Sequence, residues 1–153
     1  MTTAEAHGPG ASDQPRYCCA ILTDSLGRLV LERRAPDDPV AGGLLACFGG
    51  GRERHEHAIG ALRREVQEEL GFTLRERDEE IRRVFTLQTP VGEAWFFAAA
   101  GPDEGDAVRL EPGVRLERIS ESVLLVSHAD ELARWHRAVF EARARGRDQA
   151  TTI

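Results

Sequence analysis

Apolar and polar residues alternate along the first third of the chain in a pattern that predicts strands joined by tight turns. Apolar runs at 17–22 and 28–32 flank a turn-forming segment at 24–27, which predicts a β-hairpin. A loop over 35–43, rich in proline and glycine, follows. A short apolar run at 44–48 then leads into Gly49, Gly50 and Gly51, which we expect to form a loop that brings its backbone close to a ligand.

The second half of the chain repeats this strand-and-helix pattern. Apolar residues at 81–89 and 94–100 predict two strands around a turn. A capping sequence at 127–130 predicts the start of the last helix. Strands, a helix, more strands and a final helix indicate a mixed α/β domain.

One amphipathic helix is predicted between these halves. It begins near His55 or Glu56, and Gly71 supplies the left-handed residue that closes a helix. At about 100° per residue, one narrow stripe collects four apolar side chains: Ile59, Leu62, Val66 and Leu70.

A second arc of the same helix, beside the apolar stripe, carries Glu65, Glu68 and Glu69. These residues are three or four positions apart, so their carboxylates are neighbours and repel. A divalent cation removes that penalty, and oxygen ligands suit Mg²⁺ or Mn²⁺. The alternative is a solvated helix face paired with nearby arginines.

The spacing of residues around this helix resembles the Nudix box without a gap. Gly50 is followed after five residues by Glu56, and after seven more by Arg64-Glu65-Val66. One residue later comes Glu68-Glu69, and one more residue leads to Gly71-Phe72. The resemblance implies a Nudix hydrolase with a mixed β-sheet sandwiched between α-helices.

The resemblance also implies roles for the residues of the box. Glu65, Glu68 and Glu69 match the metal ligands and catalytic carboxylates of the family, and the backbone carbonyl of Gly50 matches a further ligand. Either Glu65 or another glutamate of the box is the general base, since family members differ on this point. Glu56, Arg64 and Gly71 match residues that shape the motif. By helix count, Arg64 points away from the carboxylates and ties down the loop.

Four candidates lie outside the helix. In relatives with a comparable tail, an acidic residue in the segment that matches 108–119 adds a metal ligand or a catalytic base. This makes Glu111 and Glu117 candidates. The alternative is that both are surface residues. Phe48 either packs in the core or faces the substrate, with core packing favoured. Trp95 is interpreted in the same way, as a core residue or a stacking platform for a base.

Composition and charge bound the remaining possibilities. A net charge of −6 disfavours a general nucleic-acid or membrane-surface binder, although a bound metal would still allow a phosphorylated substrate. No apolar run approaches membrane-spanning length, so we expect a soluble, cytoplasmic protein. We expect a disordered leader over 1–15, one Nudix domain over 16–146 and a flexible tail over 147–153.

Family resemblance implies hydrolysis of a nucleoside diphosphate linked to another group, by attack of water on phosphorus. Nucleoside triphosphates, ADP-ribose, nucleotide sugars and dinucleoside polyphosphates all remain candidate substrates, and a homodimer is consistent with family habit. The alternatives are a non-hydrolytic Nudix-fold nucleotide sensor and a protein-interaction module. The complete set of box glutamates argues against the sensor, and metal dependence would argue against the interaction module.

Overall fold

Eight strands and three helices alternate along residues 13–152, the part of the chain that the computed structural model describes. The strands are β1 (Tyr17–Thr23), β2 (Leu29–Arg33), β3 (Leu45–Ala46), β4 (Phe48–Gly51), β5 (Arg82–Thr89), β6 (Gly92–Ala100), β7 (Arg115–Ile119) and β8 (Gln149–Thr151). The helices are α1 (Ala58–Leu70), α2 (Glu121–His128) and α3 (Arg134–Ala144), with 3₁₀ turns at Asp78–Glu80 and Ala129–Glu131. None of these helices has the length and apolar character that a membrane span requires.

All eight strands belong to one mixed sheet. Its main order is β3-β2-β1-β6-β5-β8, while β4 pairs with β1 and β7 pairs with β2. The predicted hairpin is confirmed, because β1 and β2 run antiparallel, as do β5 and β6. Strand β1 runs parallel to β6, and β5 runs parallel to β8. The mixed α/β sandwich expected from the sequence is therefore confirmed.

Apolar residues cover both faces of the sheet. Along β1, Cys18, Ala20 and Leu22 face one core cluster, and Cys19 and Ile21 face the other, as strand alternation requires. Helix α1 packs on the first face through three fully buried residues: Leu62, Val66 and Leu70. Helices α2 and α3 contribute to the second cluster. Helix α1, which carries the three predicted carboxylates, is therefore on the opposite face of the sheet from α2 and α3.

Helix α1 begins later than the sequence predicts. Its first residue is Ala58, and the N-cap residue His57 makes no capping side-chain hydrogen bond. Glu56 lies before the helix because its carboxylate is engaged by the Glu53 backbone N–H and by Arg64. The predicted end is confirmed: Gly71 has a left-handed φ of 63° and donates its N–H to the Gln67 carbonyl.

The glycine run is a strand, so the loop prediction is wrong. Gly49, Gly50 and Gly51 pair with Cys19, Cys18 and Tyr17 of β1. A Cβ on Gly49 would lie 2.3 Å from the Cys18 carbonyl oxygen, and φ at this residue is 149°. Glycine is needed here because two backbones approach closely within a sheet.

The start of the last helix and the C-terminal residues also differ from the sequence prediction. The sequence pattern missed α2, so Ser127 lies inside that helix and does not cap the last one, whose N-cap is Ala133. Residues 149–151 form β8 on the edge of the sheet, which contradicts a flexible tail there. The leader predicted over 1–15 falls mostly outside the described residues. Within the described part, the Pro15 carbonyl accepts a hydrogen bond from Arg52.

Candidate active site

A bidentate ion pair fixes the segment between β4 and α1. The Arg64 guanidinium donates from Nε and Nη2 to the two carboxylate oxygens of Glu56, at 2.6 and 2.7 Å. Nη2 also donates to the Gly51 carbonyl at 3.0 Å. The guanidinium lowers the pKa of Glu56 to about 2. The pair therefore holds the strand, the connecting segment and the helix together while Glu56 is ionised.

The same arginine reaches the carboxylate arc, contrary to the sequence prediction. Its Nη1 lies 3.0 Å from Glu65 Oε1 and 3.3 Å from Glu68 Oε1. Adjacent residues of a helix, such as Arg64 and Glu65, point about 100° apart. A long arginine side chain can nevertheless fold back along the helix surface. Arg64 thus both ties down the segment and neutralises part of the acidic face.

Glu69 connects the carboxylate arc to the glycine strand and has a raised pKa. Its Oε1 accepts a hydrogen bond of 2.8 Å from the Gly49 backbone N–H. Burial raises the pKa of Glu69 to about 8, and the negative charge of Glu32 adds to the rise. A nearby cation would favour the ionised form of this carboxylate.

Glu65 and Glu68 occupy two further environments. The Glu65 carboxyl lies against Gly50, where an added Cβ would come within 2.7 Å of it. Burial raises the pKa of Glu65, with Arg64 opposing the rise. The Glu68 side chain is 56% exposed and faces solvent. The arc therefore contains two partly buried carboxylates and one that is exposed to solvent.

The chemistry of these donors fits a hard divalent cation. Oxygen donors that are costly to ionise when unpaired gain most from a nearby cation. Among residues 13–152, however, no group of three or more His, Cys, Asp or Glu side chains is arranged to hold a metal ion. The donor types therefore suit a divalent cation, and its binding by these residues is a proposal.

A cleft of about 270 Å³ opens beside Glu69. Its lining combines acidic side chains with one arginine: Glu32, Arg34, Ala35, Asp37, Asp38, Pro39, Glu69, Glu111, Pro112 and Val114. Arg34 is the one cation in this set. An anionic ligand in the cleft would therefore need a cation to offset the five carboxylates, and Arg34 would be its side-chain donor.

Comparison with known proteins identifies the family of this chain. A family model described as the NUDIX domain matches residues 13–142. The chain belongs to the Nudix hydrolase family. No curated protein sequence matches the chain significantly.

Solved Nudix and MutT structures share the fold. The MutT protein from Methanosarcina mazei Go1 is 21% identical, with a TM-score of 0.64 over 85% of this chain and 92% of that one. The Escherichia coli ORF135 protein is 25% identical, with a TM-score of 0.63 over 90% of this chain and 94% of that one. The MutT Nudix hydrolase from Burkholderia pseudomallei is 24% identical, with a TM-score of 0.56 over 82% and 94%.

The two acidic candidates outside the Nudix box lie in different surroundings. Glu111 lines the cleft with Glu69, so its role as a ligand stays a prediction. Glu117 points to the opposite face of the sheet, where it pairs with Arg33, which also contacts Glu131 at 2.6 Å. The Arg33 guanidinium lowers the pKa of Glu117. The metal-ligand prediction for Glu117 is contradicted, because strand register directs its carboxylate away from α1.

The two aromatic candidates also have different surroundings. Phe48 is 0% exposed and packs in the core under α1, so the structure contradicts contact with substrate and supports the core alternative. Trp95 is partly buried, and its indole N–H donates to Glu93 at 2.8 Å. The Arg83 guanidinium lies 3.9 Å from the Trp95 ring centroid. Substrate stacking on Trp95 stays a prediction and requires Arg83 to move.

Sequence reasoning missed Glu32 and Arg34 of the cleft. Both lie at the end of the run Leu-Val-Leu-Glu-Arg-Arg, whose apolar part was used to predict β2. The signal was a glutamate at a position where strand alternation places a core-facing residue, since Val30 on the same face is fully buried. The position of the Gly50 carbonyl relative to the carboxylates stays a prediction.

Proposed function

We propose that this Nudix protein is a metal-dependent hydrolase that cleaves the diphosphate bridge of a nucleoside diphosphate linked to another group. The observation that carries the proposal is the partly buried Glu69 carboxylate, held by Gly49 beside Glu65 and open to a cleft that contains Arg34. A carboxylate with a raised pKa in a cleft is typical of a functional site.

Glu65, Glu68 and Glu69 would hold Mg²⁺ or Mn²⁺, with the Gly50 carbonyl and Glu111 as further proposed ligands. When bound, such cations neutralise diphosphate charge and lower the pKa of water. The protein supplies the rest through its own residues. Arg64 and Glu56 keep the helix and glycine strand in register, and Arg34 offers its guanidinium to a phosphate oxygen.

One carboxylate of the arc would accept the proton of the attacking water. Glu65 is held between Arg64 and Gly50, and Glu68 is the carboxylate most open to solvent. A general base must reach the attacking water, and we infer that one of these two carboxylates does so. The ranking of glutamine variants at these two positions would assign the role.

The test is a turnover panel with Mg²⁺, Mn²⁺ or chelator. It covers nucleoside triphosphates, ADP-ribose, nucleotide sugars and dinucleoside polyphosphates, with a phosphatase added where products lack free phosphate. Glu68→Gln and Glu69→Gln are compared with wild type and with Glu117→Gln, a control on the opposite face. We expect one substrate class to turn over with metal and the first two variants to lose that activity.

Other outcomes would replace the proposal. No turnover of any class, together with metal-independent nucleotide binding, would favour the nucleotide sensor. Equal turnover in wild type and Glu69→Gln would place the chemistry elsewhere. The proposed partner is thus a small nucleoside diphosphate derivative, and its class is the unknown that the panel measures.

A further inference from the structure

Glu32 is an unusual residue for its position. It lies on β2 opposite Leu116 of β7, on the face of the sheet that α1 covers, and is only 3% exposed. Asp24 and Glu32 are the polar or charged residues buried in the described part of the chain. Asp24 is explained by its hydrogen bonds to the turn N–H groups of Leu26 and Arg28. Glu32 lies within strand β2, so it has no turn of this kind to organise.

The hydrogen-bond partner of Glu32 within residues 13–152 is Arg34. Arg34 Nη1 donates to Glu32 Oε1 at 2.6 Å, and Arg34 Nη2 donates to Asp38. Arg34 Nε is buried without a hydrogen-bond acceptor. Nε is therefore out of reach of a ligand, and the second N–H groups of Nη1 and Nη2 are the donors that Arg34, whose side chain is 32% exposed, offers to the cleft.

The two carboxylates that hold Arg34 differ in rigidity. Glu32 is part of a paired strand and is enclosed by the core, whereas Asp38 lies in the loop over 35–43. Asp38 also accepts hydrogen bonds from the Val40 and Ala41 N–H groups, so it organises that loop. Glu32 is therefore the fixed anchor, and its side chain lacks freedom to follow the arginine if the arginine moves.

Stability alone does not account for a glutamate at this position. Glu32 and Arg34 form an ion pair at 2.6 Å, and both residues line the cleft with Glu69. Replacement of a buried ion pair by apolar residues is often neutral or stabilising. The position of this pair in the cleft wall therefore indicates a role toward a ligand.

We propose that Glu32 is a positioning residue, which holds Arg34 at the cleft wall so that the guanidinium meets a phosphate oxygen of the substrate. This inference rests on the proposed function, because it takes the cleft to hold a diphosphate. Glu32 acts through Arg34 and does not itself touch the anion. It therefore sets substrate affinity more than the rate of the bond-breaking step.

The experiment is calorimetric titration of methylenediphosphonate, a non-hydrolysable diphosphate analogue, at saturating Mg²⁺ for each variant. Wild type is compared with Glu32→Ala, Glu32→Gln, Arg34→Ala and the Glu32→Ala/Arg34→Ala double variant. Glu117→Ala removes the partner of neighbouring Arg33 on the opposite face and serves as the matched control for Glu32→Ala. Thermal unfolding of each variant verifies that it is folded.

We expect Glu32→Ala to weaken binding on the order of tenfold, the range for a hydrogen bond between charged groups. Glu32→Gln should weaken it less, because the amide oxygen still accepts from Arg34. In the Arg34→Ala background, Glu32→Ala should have no further effect, because the interaction is already absent. Turnover should show a raised KM with kcat within about twofold of wild type.

Additive effects of the two alanine substitutions would overturn the inference, since they would arise from altered charge beside Glu69. Unchanged binding in Glu32→Ala, or no binding of the analogue by wild type, would also overturn it. The turnover panel is independent of this result. A protein that binds the analogue through Glu32 and Arg34 but hydrolyses no substrate would contradict the proposed function and leave the positioning role standing.

Discussion

The Glu69 carboxylate accepts a 2.8 Å hydrogen bond from the Gly49 backbone N–H, which joins the end of α1 to the start of the glycine strand. A shift of either partner alone would break this hydrogen bond. Gly49 is held against Cys18 and Cys19 of β1. Glu69 extends from a helix anchored by fully buried Leu62, Val66 and Leu70. The position of the proposed metal-binding carboxylate is therefore set by the sheet as well as by the helix.

Gly49→Ala should destabilise the fold. The added Cβ would lie 2.3 Å from the Cys18 carbonyl oxygen at a φ of 149°, so β4 must move away from β1. We expect a loss of about 2 kcal/mol or more in the free energy of unfolding, measured by urea denaturation. Gly60→Ala is the matched control, since its Cβ would meet nothing within 4 Å inside α1. That variant should gain about 1 kcal/mol.

Gly50→Ala should separate activity from stability. Its Cβ would approach the Glu65 carboxyl at 2.7 Å, but that carboxyl ends a flexible side chain that can turn away. We expect a loss of turnover of about tenfold or more with an unfolding midpoint near wild type. Normal turnover in this variant would show that Glu65 does not need its observed position.

The pair between Arg64 and Glu56 should show geometric specificity. Arg64→Lys keeps the charge but cannot reproduce the two parallel hydrogen bonds to Glu56. A double-mutant cycle with Glu56→Gln should give a coupling free energy of about 1 kcal/mol in urea unfolding. Full stability and turnover in Arg64→Lys would contradict a clamp that depends on the guanidinium fork.

Acid should destabilise the protein partly through His136. Its Nδ1 accepts a hydrogen bond from the Cys47 backbone N–H at 3.1 Å, so the imidazole is neutral. Burial lowers the pKa of His136 to about 4, below its ordinary value of 6.5. The unfolded chain thus takes up the proton first as the pH falls below about 6.5. Stability from this group is complete above that pH and is lost progressively towards pH 4.

The measurement is the unfolding free energy of wild type and His136→Gln between pH 4 and 8. The difference between the two proteins isolates the histidine from the carboxylates that titrate in the same range. We expect the stability advantage of wild type to shrink on the order of 2 kcal/mol as the pH falls from 7 to 4. A pH-independent difference would contradict a neutral buried imidazole.

Periodicity and end signals made helix α1 predictable. Leu62, Val66 and Leu70 fix its buried face, and Gly71 has the conformation that its position indicates. The glycine strand was not predictable, because glycine has low strand preference and is chosen here for a close contact with another strand. Helix α2 was missed because only Leu124 of its short sequence is fully buried.

The part of the candidate site that lies on one helix was predictable from the spacing of its residues along the chain. Glu65, Glu68 and Glu69 share one helix, so their proximity follows from helix geometry alone. The difference between Glu111 and Glu117 depends on how β7 pairs with β2, which the order of residues along the chain does not reveal. Glu32 and Arg34 likewise reach the cleft through strand pairing.

The most direct test of the central claim is turnover of the best substrate from the panel, measured against Mn²⁺ concentration for wild type and Glu69→Gln. The account predicts no turnover in chelator, saturation with Mn²⁺ in wild type, and at least a hundredfold lower maximum in a folded Glu69→Gln variant (a loss of about 3 kcal/mol in transition-state stabilisation). Turnover that persists in chelator, or a Glu69→Gln variant with the wild-type Mn²⁺ dependence, would contradict it.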